Sequence, residues 1–413
     1  MELHRKFKSI LAQTFFALKY PNYRLWFFGQ LVSVFGTWMQ LTAQGFLLYE
    51  LTHSAAYLGY LGFTSGIATW LFMLYGGVIA DRFHRRNVLI TTQSIMMTLA
   101  LILAALAFLH VVQPWHIFVL AFLLGVANSF DAPARQAFVL EMVDRDALSN
   151  AIALNSTLFN SATAVGPAAA GMLYLFFGPA WCFLINGISF LAVITALFFM
   201  KIPVVKTVKL RTSAVHQLKE SLHYLRKVPL IRTLIFMVGM VSMFGFSIMT
   251  LFPAWAVKIL HGNAGTNGFL QSARGIGALA GALIIASLGK ITFKGKLLSL
   301  GSLIFPVLLF AFSWVRLRPL SYLVLLFAGF SMMFIFNLAN VLVQTTVRNE
   351  LRGRIMGVYA FTFFGLIPVG NLITGQVAEW IGEPLAVAIN ACVLLVIFVF
   401  LWIKKPLVRR ARG

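Results

Sequence analysis

The sequence predicts an all-α membrane protein with twelve transmembrane helices in two pseudo-symmetric six-helix bundles. Three observations predict it. Of the 413 residues, 60% are hydrophobic and only 11% are charged, with Phe alone supplying 40, a composition outside the range of soluble globular domains. Long apolar runs recur along the whole chain, separated by short turn signals. The two halves of the chain also repeat one another at a nearly constant offset.

Taken in order, the apolar helical runs cover 23–50, 55–80, 88–110, 114–137, 149–177, 180–200, 230–258, 266–289, 297–315, 319–345, 354–378 and 384–403. Each approaches or exceeds the ~20 residues that cross ~30 Å of hydrocarbon at ~1.5 Å per residue. Gln113-Pro114, Gly178-Pro179, His261-Gly262-Asn263, Arg318-Pro319 and Glu383-Pro384 punctuate them. Arg5, Lys6 and Lys8 precede the first run, which is far longer than the ~7 to 15 residues of a signal-peptide core and reads as a retained span. Residues 1–200 form the first bundle, 201–229 a cytoplasmic basic linker, and 230–413 the second bundle with a basic cytoplasmic tail. In the linker Val215, Leu218, Leu222 and Leu225 recur at helical spacing, with Lys219, Arg226 and Lys227 elsewhere. That pattern suits an amphipathic helix on the inner leaflet, or else a disordered basic linker.

Charge sets the orientation. There are 33 Lys and Arg against 11 Asp and Glu, a net charge of +22. The cations sit in short loops between apolar runs, a pattern of membrane topology and anionic inner-leaflet lipid, and not of a nucleic-acid groove. Of the 33, 29 fall on the side carrying both termini, while Lys258, Arg316 and Arg318 fall opposite and Arg274 lies within a span. Both termini are therefore expected to be cytoplasmic, in a multi-pass protein of the cytoplasmic (inner) membrane. Cys182 and Cys392 lie 210 positions apart in apolar runs and offer no disulfide or metal framework. With no Walker loop, His-rich metal cluster or Ser-His-Asp order, neither an enzyme nor a cofactor or metal is expected.

The repeat is read from aligned phrases. "GYLGFTSGI" at 59–67 matches "GFLQSARGI" at 268–276, an offset of 209. The charged turn at Asp81 falls opposite Gly289, and Val139 opposite Val347, each at an offset of 208. A six-plus-six duplication with a substrate path between the bundles follows.

Several polar residues then need a reason. In "GGVIADRFHRRNVL" Gly76 and Gly77 allow close helix approach, and Arg82, Arg85 and Arg86 hold the loop at the cytoplasmic surface. Asp81 has no place in charge-based sorting and can face a cation or a helix N-terminus. Asp131 and Arg135, four apart, share one helix face, either as an isolated pair or as part of a proton-sensitive network with Asp81. Glu50 and Lys258, offset by 208, are interfacial charges facing water or an outer gate that pairs when the cavity faces inward. Arg274, about seven residues and so ~10 Å below the outer surface, must meet a cavity, a carboxylate such as Glu50, a carbonyl cluster or an anionic group on the cargo, or snorkel outward. Thr37, Gln40 and Gln44 share a face in span one, and Asn337 and Asn340 lie in span ten; these are cavity-wall candidates or interhelical hydrogen-bonding groups. Gly166-Pro167 and Gly171 put a kink and a small-residue face in span five.

"GGVIADRFHRRNVL" resembles the loop between spans two and three of the major facilitator superfamily, and "TAVGPAAAG" at 163–171 resembles its antiporter motif. "LVSVFGTWMQLTAQGFLLYELTHSA", "DAPARQAFVLEMV" and "LSNAIALNS" are similar to the branch of drug:proton antiporters holding the enterobactin exporter and macrolide efflux pumps. The resemblance implies a secondary active exporter of an amphiphilic small-molecule substrate, a siderophore or lipophilic drug, working as a monomer by alternating access with protons as the coupling ion. It also implies a cytoplasmic latch joining Asp81 to spans four and eleven with Arg135 as partner, and a leak-limiting contact at Gly166-Pro167. A facilitator or lysophospholipid importer, and a transport-inactive sensor or assembly subunit, stay open beside it.

Overall fold

The computed structural model describes residues 14–201, 224–287 and 293–411. The linker residues Val215, Lys219 and Leu222, the turn at Gly289 and the N-terminal cations Arg5, Lys6 and Lys8 lie outside the described residues. The helices are α1 Pro21–Thr52, α2 Ala55–Arg82, α3 Arg85–Phe108, α4 Pro114–Phe138, α5 Arg145–Phe177 and α6 Pro179–Phe199. Then follow α7 Pro229–Ile259, α8 Ala264–Ser287, α9 Lys294–Trp314, α10 Arg318–Thr346, α11 Asn349–Ile381 and α12 Glu383–Lys404. No strand occurs among the described residues.

Prolines that read as turn signals become helix starts. Pro114, Pro179, Pro319 and Pro384 all sit in the first two positions of their helices, where the missing N–H has no intrahelical partner to lose. Ten described helices are long and apolar enough to span a bilayer, eleven when the bent pair Ala55–Met73 and Tyr75–Arg82 counts as one. The remaining one, α5, has the length at 33 residues but carries Asn155, Ser156, Thr157, Asn160, Ser161 and Thr163 up to just past its middle, which lowers its apolarity.

α7 departs from a uniform helix. It runs as α-helix over Pro229–Met240, widens to a π-turn at Val241–Gly245, tightens to 3-10 over Phe246–Leu251, and after Phe252–Ala254 widens again at Trp255–Ile259. Such interruptions concentrate at functional segments.

In the first bundle α2 and α4 meet backbone to backbone: Gly125 packs on the Ser65 carbonyl, and Gly76 on that of Ser129. In the second, α8 and α10 meet in the same way, Gly329 on the Arg274 carbonyl and Gly277 on that of Leu326. Ser65 and Arg274 are repeat partners at the offset of 209, so the duplication read from sequence is carried in the packing. Some buried polar groups find partners inside their bundles, among them Asn186 Nδ2 donating to Gln40 Oε1 at 2.6 Å and Asn390 Nδ2 to Thr374 Oγ1 at 2.9 Å.

Candidate functional site at the bundle interface

Two helix pairs join the bundles. Along α2 and α11 the contact face runs through Gly59, Gly62, Gly66 and Trp70 on one side and Gly375, Asn371, Pro368, Gly365 and Phe361 on the other. A side chain on Gly375 would come within 2.6 Å of the Gly59 Cα, so only hydrogen allows this approach. Along α5 and α8, Gly171 lies on Ala264 and Gly265, Gly268 on Pro167, and Gly275 on Thr163 and Ala164. The Ala168 N–H donates across this seam to Ser272 Oγ at 2.9 Å. Gly166 packs on Trp38 of α1. The Gly-Pro motif of α5 thus lies in the seam between the bundles.

These contacts run from the end away from the arginine-rich turn at 82–86 to about mid-helix, where Trp70 meets Phe361. Continuing the α2 face by one helical repeat reaches Gly77, and the α11 face reaches Gly357 and Gly353; none has an atom of another helix within reach of an added Cβ. The bundles are closed at one end and parted at the basic end. Hydrogen bonds reinforce the closed end: Tyr60 to Gln376 at 3.0 Å, Thr250 to the Leu58 carbonyl at 3.1 Å and Thr42 to Gln271 at 3.3 Å. Glu379 of α11 reaches the N-terminus of α2, where its carboxylate accepts from Ser54 Oγ at 2.8 Å and from the Ala56 N–H at 3.1 Å.

At the parted end Asp81 is exposed and has no hydrogen-bond or ion-pair partner among the described residues. The expected partnership with Arg135 is not formed. Arg135 turns along its own helix to Asp131 at 2.5 Å and touches Gln30 of α1 at 3.5 Å. Asp131 is fully buried and also accepts from Thr92 Oγ1 at 2.9 Å and Gln93 Nε2 at 2.8 Å. The network is internal to α1, α3 and α4 and does not include Asp81. Arg85 is half-buried against Glu141 at 2.5 Å, Arg86 donates to the Phe198 carbonyl at 3.0 Å, and Arg82 is exposed.

Arg274 lies deeper than expected. α8 begins at Ala264, so the guanidinium stands ten residues in, ~15 Å from the helix end. It is 8% exposed, its Nε has no partner, and its Cζ lies 5.5 Å from the Phe246 ring centroid in the 3-10 segment of α7. It faces the second bundle, beside Met249, Phe305 and Met332, and among the described residues no carboxylate, Glu50 included, pairs with it.

The transmembrane secretion effector family model matches residues 12–411. The chain belongs to that family. It is therefore a transporter of the major facilitator fold, not an enzyme. Secretion-effector relatives include the staphyloferrin A transporter of Staphylococcus aureus, 23% identical over 90% of this chain and 94% of that one. The macrolide efflux protein A of Streptococcus pyogenes is 22% identical over 88% and 92%. The enterobactin exporter EntS of Citrobacter koseri is 22% identical over 95% and 94%. Among solved structures, an inward-facing, occupied bacterial homolog of the human lysosomal transporter Spinster has a TM-score of 0.74 at 13% identity, covering 95% of this chain and 98% of that one. The nucleoside transporter NupG has a TM-score of 0.70 at 15% identity, covering 93% and 99%.

Within this transporter the remaining polar candidates differ in exposure. Gln40 is buried against Asn186 of α6, Gln44 is buried, and Thr37 bonds its own helix at the Ser33 carbonyl. Asn337 and Asn340 are half-buried, and Asn340 accepts from Gln344 at 2.6 Å. Nor do Glu50 and Lys258 meet: Glu50 accepts from Tyr174, and Lys258 pairs with Glu383 at 2.9 Å. The α7 register turns Lys258 toward α12 within its own bundle, whereas Glu50 lies against α5. The acid that does cross the interface, Glu379, reads in the sequence as an ordinary charge at a span end; only its place opposite the Ser54 N-cap gives it a role.

Proposed function

We propose that the chain is a secondary active exporter of the cytoplasmic (inner) membrane, moving an amphiphilic organic compound of the siderophore or lipophilic-drug kind outward in exchange for protons. The basic end faces the cytoplasm in this reading, and the monomer works by rocking one bundle on the other. The observation that carries it is the one-sided closure: the bundles are shut at the end bearing Glu379 and parted at the end bearing Asp81, the geometry of a carrier open to the compartment from which an exporter loads. The names of the efflux and siderophore relatives support the direction and the cargo class.

In the opposite state the parted end must close, and Asp81, at the last turn of α2, then approaches the N-terminal end of α11, where Asn349 begins the helix. A carboxylate there is held by the free N–H groups and the helix dipole. Asp81→Asn is therefore expected to insert and fold normally but to transport at about a fifth to a thirtieth of the normal rate, as ~1 to 2 kcal/mol of latch energy is lost. Normal transport by a properly inserted Asp81→Asn protein would remove the latch. The decisive test of the whole reading is counterflow in proteoliposomes against a panel of siderophores and macrolides, with and without a pH gradient. Acceleration of at least one member by an inward proton gradient is expected. Movement of none, or movement indifferent to the gradient, overturns the proton-coupled exporter.

A further inference from the structure

Arg274 poses a charge-balance problem that the protein leaves unsolved. Of the 11 acids in the sequence, nine fall among the described residues, all towards the two ends of the helices. Asp81, Asp131, Glu141, Asp144, Asp146 and Glu350 lie towards the basic end, and Glu50, Glu379 and Glu383 towards the other. The described ion pairs join Arg85 to Glu141, Arg135 to Asp131 and Lys258 to Glu383. Arg274, in mid-span and 8% exposed, has only the face of Phe246.

The position has a built-in control. Its repeat partner Ser65 offers the same carbonyl to Gly125 that Arg274 offers to Gly329, and the Ser65 hydroxyl is satisfied by its own helix at the Leu61 carbonyl, 3.0 Å away. The scaffold at this point is content with a small self-satisfied side chain. An arginine here adds a permanent charge that packing does not call for, and a lone guanidinium in a low-dielectric interior is costly unless something anionic meets it.

The space beside it limits what that can be. The crevice bounded by Arg274, Gly245, Met249, Phe305 and Met332 has a volume of about 10 Å³, room for one water-sized group. A ligand can place there no more than one oxygen of a compact head, the rest lying outside the crevice. Phe246 leads outward from the crevice to Phe363 of α11, 6.1 Å away, which in turn touches Phe336 of α10 at 5.0 Å. That aromatic row suits an apolar or aromatic body, not a second charge.

We infer that Arg274 is the head-group subsite for a monoanionic amphiphile, one carboxylate-class group on an apolar body, and that the ligand supplies the counter-charge the fold lacks. Binding exchanges the contact with Phe246 for a charge-assisted pair with the planar fork of the guanidinium. Calling this ligand the cargo rests on the exporter reading; the site itself does not.

The test is equilibrium binding to the purified full-length protein in lipid nanodiscs, in gluconate buffer and without any gradient, so that failure of transport and failure of this site are told apart. 4-Phenylbutyrate is compared with its neutral amide on the wild-type protein, Arg274→Gln and Arg274→Lys. The wild type should bind the carboxylate at least tenfold more tightly than the amide. Arg274→Gln should lose that preference, and Arg274→Lys should keep a weaker one. Thermal unfolding separates a site from a structural cation: without ligand Arg274→Gln should unfold at or above the wild-type temperature, because an unmet charge has been removed. Equal binding of acid and amide, a preference surviving in Arg274→Gln, or a lower unfolding temperature for that variant would each overturn the proposal. So would chloride alone matching the stabilisation given by the carboxylate, which would make this an inorganic-anion site.

Discussion

Replacing Asp131 by alanine should destabilise the first bundle by ~3 to 5 kcal/mol, the typical cost of stripping one partner from a buried ion pair. The side chain is fully buried and accepts from Thr92, Gln93 and Arg135. Its removal strips Gln93 Nε2 and the Arg135 guanidinium of their acceptor, while Thr92 Oγ1 keeps the Leu89 carbonyl, in a region where Gln30 Nε2 and Gln93 Oε1 already lack partners. Arg135 is 29% exposed at its side chain and can recover part of its hydration, which places the expected cost nearer the lower bound. Asp131→Asn keeps the shape and one acceptor, and about half the loss is expected. Thermal unfolding in detergent measures both; an alanine variant that unfolds with the wild type would show the cluster to be dispensable. Because the cluster joins α1, α3 and α4 and not the bundle interface, its loss should lower the amount of folded protein without changing which end is open.

Glu379→Ala should do the reverse, changing the open end with little effect on folding. The carboxylate holds the N-terminus of α2 through Ser54 and Ala56, two charge-assisted bonds crossing from one bundle to the other. Both groups are exposed in part, so ~1 to 2 kcal/mol is a fair sum, enough to shift a two-state equilibrium by 5- to 30-fold. Spin labels at Leu51 and Trp380, both exposed at the closed end of different bundles, should report a longer distance population in Glu379→Ala. Glu379→Gln, which keeps acceptor oxygen but not charge, should lie between. An unchanged distance distribution in the alanine variant would show that the glycine seams close this end unaided. Glu379 at the end of α11 holds the N-terminus of α2, and in the proposed opposite state Asp81 at the end of α2 meets the N-terminus of α11, so the two variants should push the equilibrium in opposite directions.

The spans were legible because membrane burial writes itself as uninterrupted apolarity, and the turn prolines marked helix starts to within a residue or two. The Ser65–Arg274 equivalence was legible as well, since a duplicated chain keeps its glycines in register. What stayed hidden has a common cause: periodicity assigns a residue to a face but does not say which neighbour that face meets. Gln40 shares a helical face with Thr37 yet packs against Asn186, and Lys258 turns to Glu383 and not to Glu50. Arg135, four residues from Asp131, satisfies that acid in preference to one on another helix. The π and 3-10 turns of α7 were invisible because backbone hydrogen-bond register leaves no trace in hydropathy.

The seams themselves carry a kinetic consequence. Where Gly59 meets Gly375, and Gly268 meets Gly171 and Pro167, backbone lies on backbone with no side chains interlocked. At these points the surface behaves as a bearing and not as a gear, whereas farther along α2 and α11 the side chains of Asn371, Pro368 and Trp70 sit over Gly62, Gly66 and Gly365 and must shift when the bundles roll. The barrier to reorientation is then shared between the polar catches at the ends and the few side chains seated in the α2–α11 seam, while the α5–α8 seam turns almost freely.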